Sequence, residues 1–438
     1  MSQDVEPNLS RRHFLRAAAM IAAGVTLPDF GHAADVPVTG GADPRLAPFD
    51  TLMTRFVVDN QVPGAALAVS YHGRLVYARG FGFANVEKKE PVKPNATFRI
   101  ASVSKSLTAV AVLRLIERGK LKLSDRVWDH LKLTPHLDEK AEVDHRWKTI
   151  TVHQCLHHTG GWDRDRSYDP IGIPWKIAKS LGTAPPPGPA QIVRYMMGQP
   201  LDFDPGTRFA YSNLGYLVLG RLIEAASGQK YGEFVHKEVL SPFQITRPHL
   251  ARALPEHRPI GEVAYYDSKK RTGRCLYEPR RNAIVPLADG GENVEGFEAH
   301  GGWVASAVDL VRFASAFDHP EKSPLLGAAE VRTMWARPPG TAGATKAGKP
   351  RAAYYGCGWS VRPEGAAGKL NAWHNGLISG TSSLMIRRSD GIDLAVLFNT
   401  DANGAGKELS GLIDGDPIHG AADAVRDWPT IDLFDKLL

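Results

Sequence analysis

After Pro44, apolar residues recur at helical spacing: Leu46, Phe49, Leu52, Met53 and Phe56 predict an amphipathic helix. The period then shortens. AALAVSYHGRLVYARGFGFA, residues 65–84, holds two β-rich runs joined at His72-Gly73, which predicts a hairpin. From Ser102 to Glu117 the helical period returns, with Leu107, Val110, Ala111 and Leu115 on one stripe and Gly119 placed to end it. Between about 120 and 320 helical patches alternate with Pro- and Gly-rich loops such as APPPGP at 184–189, and NLGYLVLGRLIEAASG at 213–228 reads as a helix. VAYYDSKKRTGRCLY, residues 263–277, reads as a protruding hairpin with a solvated basic tip. From Tyr354 to Thr400 the β-rich runs GCGWSV, NAWHNG, SSLMIRR and DLAVLFN alternate with turns. Strands near both ends of a chain with helices between them predict an α+β fold. Its antiparallel β-sheet is built from N- and C-terminal segments together and flanked by helices, with an inserted, mostly helical part. The α/β part covers about 44–120 and 320–438, and the helical part about 121–319.

The first 34 residues read differently. Ser10-Arg11-Arg12-His13-Phe14-Leu15 is followed by an apolar run from Ala17 to Leu27 and then by Gly31-His32-Ala33-Ala34. That is a basic region, a short apolar region and a small-residue cleavage site, and the arginine pair resembles a twin-arginine export signal. The apolar run is too short to span a bilayer, which takes about 20 residues. The expectation is a chain handled by the twin-arginine export machinery, periplasmic or secreted, with residues 35–438 remaining and no stable membrane anchor.

Composition narrows the function classes. Of 438 residues 43% are hydrophobic and 23% charged, which suits a protein with a packed core. The net charge of +6 is thin for this length and leaves no nucleic-acid footprint. Cys155, Cys275 and Cys357 are odd in number and far apart, so they imply no disulfide framework.

Several motifs fail on their chemistry. The nucleophile-elbow pattern G-x-S-x-G is absent. HQCLH at 153–157 spaces two histidines as a zincin does, but glutamine stands where the catalytic glutamate belongs. DRDRSYD at 163–169 mimics a calcium loop without its glycine or bidentate glutamate. No metal site is expected.

S-x-x-K survives, and it occurs twice, as Ser102-Val103-Ser104-Lys105 and Ser227-Gly228-Gln229-Lys230. The second follows the helix 213–228 at its C-terminal end, where the dipole opposes an alkoxide. The first opens a helix, and a lysine one turn from the serine, once desolvated, sheds its proton near neutral pH and can deprotonate it. Tyr211-Ser212-Asn213 supplies a hydroxyl, which beside a lysine ammonium is expected to titrate low, and an amide for a substrate carbonyl. A third element of the form His-x-Gly occurs at His158, His300 and His374. Only His374-Asn375-Gly376 lies between β-like runs near the C-terminal end, and it is the one selected.

SVSK, YSN and HNG in that order resemble the serine β-lactamase and penicillin-binding-protein superfamily, above all class C β-lactamases, DD-peptidases and family VIII esterases. The likeness runs from about Gly64 to Thr400 and takes in PGTRFAYSNLGYLVLGRLIEAASG and HNGLISGTSS. It implies the β-lactamase/transpeptidase fold, Ser102 as nucleophile, and Lys105 with Tyr211 as the acid/base pair. Asn213, His374 and Gly376 would bind substrate, and the backbone N–H groups of Ser102 and Leu377 would form the oxyanion hole. The implied chemistry is acyl transfer through an acyl-enzyme on an ester or a small amide or peptide, with no metal or organic cofactor. β-Lactams or cell-wall peptides are the alternative substrates, and a silent cell-wall-peptide binding module is a further alternative. Two departures stand out. His374 occupies the place of a permanent cation and is only partly charged near pH 7, and GGWDRDRSYD replaces a common Ser-Gly-Leu at the cleft rim.

Overall fold

The computed structural model describes residues 35–139, 141–365 and 368–438. The segment 1–34, for which an export signal is expected, therefore lies outside the described residues.

The predicted first helix is α1, Ala47–Asp59, entered through Pro48 and burying Phe49, Met53, Phe56 and Val57. The predicted hairpin is β2, Gly64–Tyr71, with β3, Arg74–Asn85, preceded by the short β1, Val38–Thr39. Five further strands follow near the C-terminal end: β4 Tyr354–Tyr355, β5 Ser360–Pro363, β6 Leu370–Ile378, β7 Thr381–Arg387 and β8 Ile392–Phe398. They form one antiparallel sheet in the order β1-β3-β2-β8-β7-β6-β5-β4, with the two-residue strand Glu90–Pro91 flanking β3. The junction is β2 against β8, in the register Leu67↔Val396 and Ala65↔Phe398, so the two ends of the chain close one sheet.

The centre of the sheet is buried on both faces, which is why β2 and β8 read as near-continuous apolar runs rather than as alternation. Leu67, Val69, Leu394 and Val396 face α1 and the helix Asp416–Ala424. Ala66, Ala68, Ala395 and Leu397 face the larger core. That core surrounds α2, Ser104–Glu117, which is buried on nearly every side. Its polar residues are therefore paired: Ser106 Oγ donates to Gly358 O at 2.7 Å and Thr108 Oγ1 to Ala299 O at 2.6 Å. Against α2 pack α3, Asn213–Ser227, and α4, Val294–Gly301. The segment between 121 and 319 also contributes strands. His249–Leu250 and Trp303–Ser306 pair with each other, and Trp303–Ser306 pairs with Thr97–Arg99.

The protruding hairpin expected over 263–277 does not form. Val263, Tyr265, Cys275 and Leu276 are buried, and Thr272–Arg274 pairs instead with Ile284–Pro286. The connecting turn uses Asn282 at φ 72, a left-handed position asparagine tolerates. Lys269 and Lys270 remain exposed. Among the described residues no helix is long and apolar enough to cross a membrane.

Candidate active site

Ser102 lies in a single 3₁₀ turn, Ala101–Val103, that feeds straight into α2. The turn is tied to two sheets: Ile100 N–H donates to Trp303 O at 2.9 Å, and Ile100 O accepts from Ser383 Oγ of β7 at 2.8 Å. Ala101 sits at φ 45, an uncommon conformation for a residue with a Cβ and one that surrounding contacts must hold. Strand β6 then passes beside this turn. A Cβ built on Gly376 would meet Ile100 O at 2.5 Å and Ser102 N at 2.9 Å, so only glycine lets the strand come this near. Leu377, the next residue, projects its side chain to the surface.

Lys105 is wholly buried one turn into α2. Its Nζ lies 3.0 Å from Ser102 Oγ, 2.9 Å from Asn213 Oδ1 and 2.7 Å from His300 O. The two carbonyl oxygens can only accept, so they take two N–H bonds. The third direction faces a hydroxyl, which can also donate. Burial, the dominant effect, holds the Lys105 ammonium well below the usual lysine range, with Asp169 pulling upward and Arg164 downward. A neutral amine with its lone pair toward Ser102 Oγ–H is the arrangement a general base needs.

Tyr211 lies just before α3, whose N-cap is Ser212. Its hydroxyl hydrogen-bonds Ser102, and Lys105 Nζ stands 4.9 Å from its ring centroid. The expected low-titrating phenol is corrected: burial raises the Tyr211 pKa and outweighs the hydrogen bond and Arg164. The hydroxyl keeps its proton and can serve as a donor.

His374 is buried on β6 and differs from its expected partly charged state. Its Nδ1 donates to Asn375 O at 2.6 Å, a carbonyl that can only accept, so Nε2 accepts from Tyr355 Oη at 2.9 Å. Burial first, then Lys105, lowers its pKa to about 3, so the ring is neutral. The other two His-x-Gly histidines also approach the centre. His158 packs at a tilt against Tyr211, ring centroids 4.3 Å apart, and accepts from Ser212 N–H at 3.2 Å, while His300 presents its carbonyl to Lys105. Burial lowers both of their pKa values well below the usual range.

Asn213 is committed at both ends. Its Oδ1 holds Lys105, and its Nδ2 donates to Asp169 Oδ2 at 2.6 Å. Asp169, whose carboxyl burial pushes up, was not among the sequence candidates; neither was Arg164, whose guanidinium lies 4.9 Å from the Tyr211 ring centroid. Both come from the GGWDRDRSYD segment, whose departure from the family pattern was the available signal. A cleft of ≈ 300 Å³ opens at Leu377 between Ile171, Glu292, Phe297 and Ser379; Ser102, Lys105 and Tyr211 do not line it. Among the described residues no group of three or more His, Cys, Asp or Glu is placed to hold a metal ion, and the three cysteines are buried free thiols.

The second tetrad is elsewhere. Ser227 Oγ accepts from Gln229 N–H at 3.1 Å, and Lys230 is exposed.

The sequence profile of the Beta-lactamase family matches residues 49–414. Esterase EstB of Burkholderia gladioli is 31% identical over 251 residues, 56% of this chain and 59% of that protein. Protein flp of Staphylococcus aureus (strain COL) is 30% identical over 198 residues, 45% of this chain and 36% of that protein. The matched stretches thus span less than two thirds of either relative. The D-amino acid amidase of Ochrobactrum anthropi superposes with a TM-score of 0.63 at 18% identity, covering 87% of this chain and 99% of that one, a likeness of fold.

Proposed function

The chain belongs to the Beta-lactamase family, and we propose that it is a serine hydrolase that cleaves esters or small amides through an acyl-enzyme on Ser102. One observation carries this reading: a fully buried, deprotonation-prone Lys105 sits 3.0 Å from the Ser102 hydroxyl with its other two hydrogen-bond positions filled by carbonyls.

The steps follow from the site. Ser102 Oγ attacks the substrate carbonyl carbon while its proton passes to Lys105 Nζ. In this reading the oxygen that becomes negative is met by the N–H groups of Ser102 and Leu377, which the close approach of β6 at Gly376 to the Ser102 turn supports; a single such donor is worth about 10²–10³ in kcat. Collapse of the tetrahedral intermediate expels an alkoxide or amine, which needs a proton. Tyr211, kept protonated by burial, donates it and is recharged from Lys105. Water then repeats the sequence on the acyl-enzyme.

EstB is named an esterase and the O. anthropi neighbour a D-amino acid amidase, which supports ester and amide substrates. A neutral His374 offers no cation for an antibiotic carboxylate, which supports esters and amides ahead of β-lactams. The Arg11-Arg12 leader supports export by the twin-arginine route to the periplasm or beyond.

The test uses the full chain and its Ser102→Ala variant with a short-chain nitrophenyl ester, a chromogenic cephalosporin and a D-Ala-D-Ala peptide. Ester turnover that vanishes in the variant is the expected result. Turnover of the peptide or the cephalosporin instead moves the protein to cell-wall chemistry. Silence on all three favours a binding module, and ester turnover that survives Ser102→Ala rejects the nucleophile.

A further inference from the structure

We propose that Asp169 is a positioning residue for the general base, acting on Lys105 through Asn213. This rests on the serine-hydrolase reading above and adds to it a part supplied by the 163–170 loop.

The argument begins with a symmetry problem. The end of an asparagine side chain can turn over, exchanging its oxygen for its nitrogen. Only one orientation of Asn213 serves catalysis. With Oδ1 toward Lys105 it accepts an N–H and leaves the amine lone pair for Ser102; with Nδ2 there, two donors would face each other. Asp169 resolves the choice. Its carboxylate can only accept, so at 2.6 Å it requires Nδ2 and turns Oδ1 to Lys105. Asp169 is itself held by its own loop. Oδ1 accepts from Ile171 N–H at 3.3 Å, capping the turn Pro170–Gly172, while Oδ2 is left for Asn213. Arg164 Nη1 lies 4.0 Å from the same Oδ2 on the outer side. The carboxylate therefore orients a group that orients the base, the job the aspartate does in a Ser-His-Asp triad.

The same loop also controls charge. Facing Lys105 are Ser102 from the turn before α2, Tyr211, Asn213 and Tyr216 at α3, His300 of α4, His374 of β6, His158, and Asp169 with Arg164. The three histidines are neutral, and the tyrosines keep their protons. The charges acting on Lys105 thus come from one loop and have opposite signs: Asp169 favours the ammonium and Arg164 disfavours it.

That opposition makes the test specific. Turnover of the nitrophenyl ester needs neutral Lys105, so kcat/KM rises with pH along an acidic limb set by that lysine. Asp169→Asn removes the charge that favours the ammonium, and the limb should move to lower pH. Arg164→Gln removes the opposing charge, and the limb should move to higher pH. Asp169→Asn also frees Asn213 to turn over, so kcat should fall by about 10-fold or more, within the range a misplaced catalytic group costs, while KM stays within about twofold. A merely structural role would lower the melting temperature and the active fraction but leave the limb in place. Limbs unmoved in both variants overturn the proposal, as does wild-type kcat in Asp169→Asn. Ser102→Ala run alongside separates the two claims: surviving turnover there defeats the serine-hydrolase reading itself, whereas an inactive Ser102→Ala with unmoved limbs defeats only the role of Asp169.

Discussion

The chain carries the same four-residue spacing twice, and the two copies end in opposite situations. Ser102-x-x-Lys105 stands where a turn enters the N-terminal end of a helix buried on nearly every side. Ser227-x-x-Lys230 stands where α3 leaves the core, with Gly228 at φ 72 ending the helix. In the first, Lys105 has lost its water and found three fixed partners. In the second, Lys230 keeps its water and Ser227 bonds only its own loop. Spacing alone brings a hydroxyl and an amine within reach; desolvation is what suits that pair to the proposed roles of nucleophile and base. The helix end matters too, because partial positive charge favours a developing oxyanion at Ser102 and partial negative charge disfavours one at Ser227.

The sharpest way to break this contrast is to cut both tetrads. Ser102→Ala should lower kcat by about 10⁴-fold or more, and Lys105→Met by about 10²–10⁴-fold, the range for loss of a nucleophile and of a general base. Ser227→Ala and Lys230→Met should leave ester turnover within about twofold. Equal losses from the two tetrads would erase the distinction.

A subtler cut goes to the glycines beside each. Gly376→Ala forces a methyl against Ile100 O, Ser102 N and Ser383 Oγ, so β6 must withdraw from the nucleophile turn. The expected result is a loss of up to about 10²-fold in kcat, since a displacement near 1 Å is enough for that. A Cβ on Gly228 meets open space, and its cost is only the left-handed backbone. Gly228→Ala should cost about 1 kcal/mol of stability and no activity.

The last cut is in acid and reads stability instead of turnover. His374 is neutral in the fold, with a pKa lowered to about 3, whereas an unfolded histidine takes up a proton near 6.5. Between those values the unfolded chain binds the extra proton, so stability rises with pH and is lost as pH falls from about 6.5 toward 3. His374→Gln removes this site's share, and its melting temperature should fall less steeply than wild type between pH 6.5 and 4. Parallel curves would mean His374 is not neutral in the fold.

Much of this was legible in one dimension, for identifiable reasons. The hairpin turn at His72-Gly73, the helix ended by Gly228 and the apolar strands of the C-terminal part depend on local backbone preference and on which faces are buried, and both leave periodic traces. The segment 263–277 misled because its apolar ends, at Tyr265-Tyr266 and Cys275-Leu276-Tyr277, mark burial without naming a partner, and the partner, Ile284–Pro286, lies beyond a turn at Asn282. Asp169 was hidden behind a failed calcium loop. Nothing local tells that its carboxylate meets an asparagine 44 residues away.

Taken alone, the sequence determined the α+β class, the order of the three motifs and the choice of Ser102 over Ser227, because those follow from short-range periodicity and helix polarity. Protonation was decided by the tertiary structure. Whether Lys105 is an amine, Tyr211 a donor and His374 a neutral ring depends on how much water each has lost and which distant charges replaced it, and those neighbours are assembled only when the two ends of the chain close one sheet around α2.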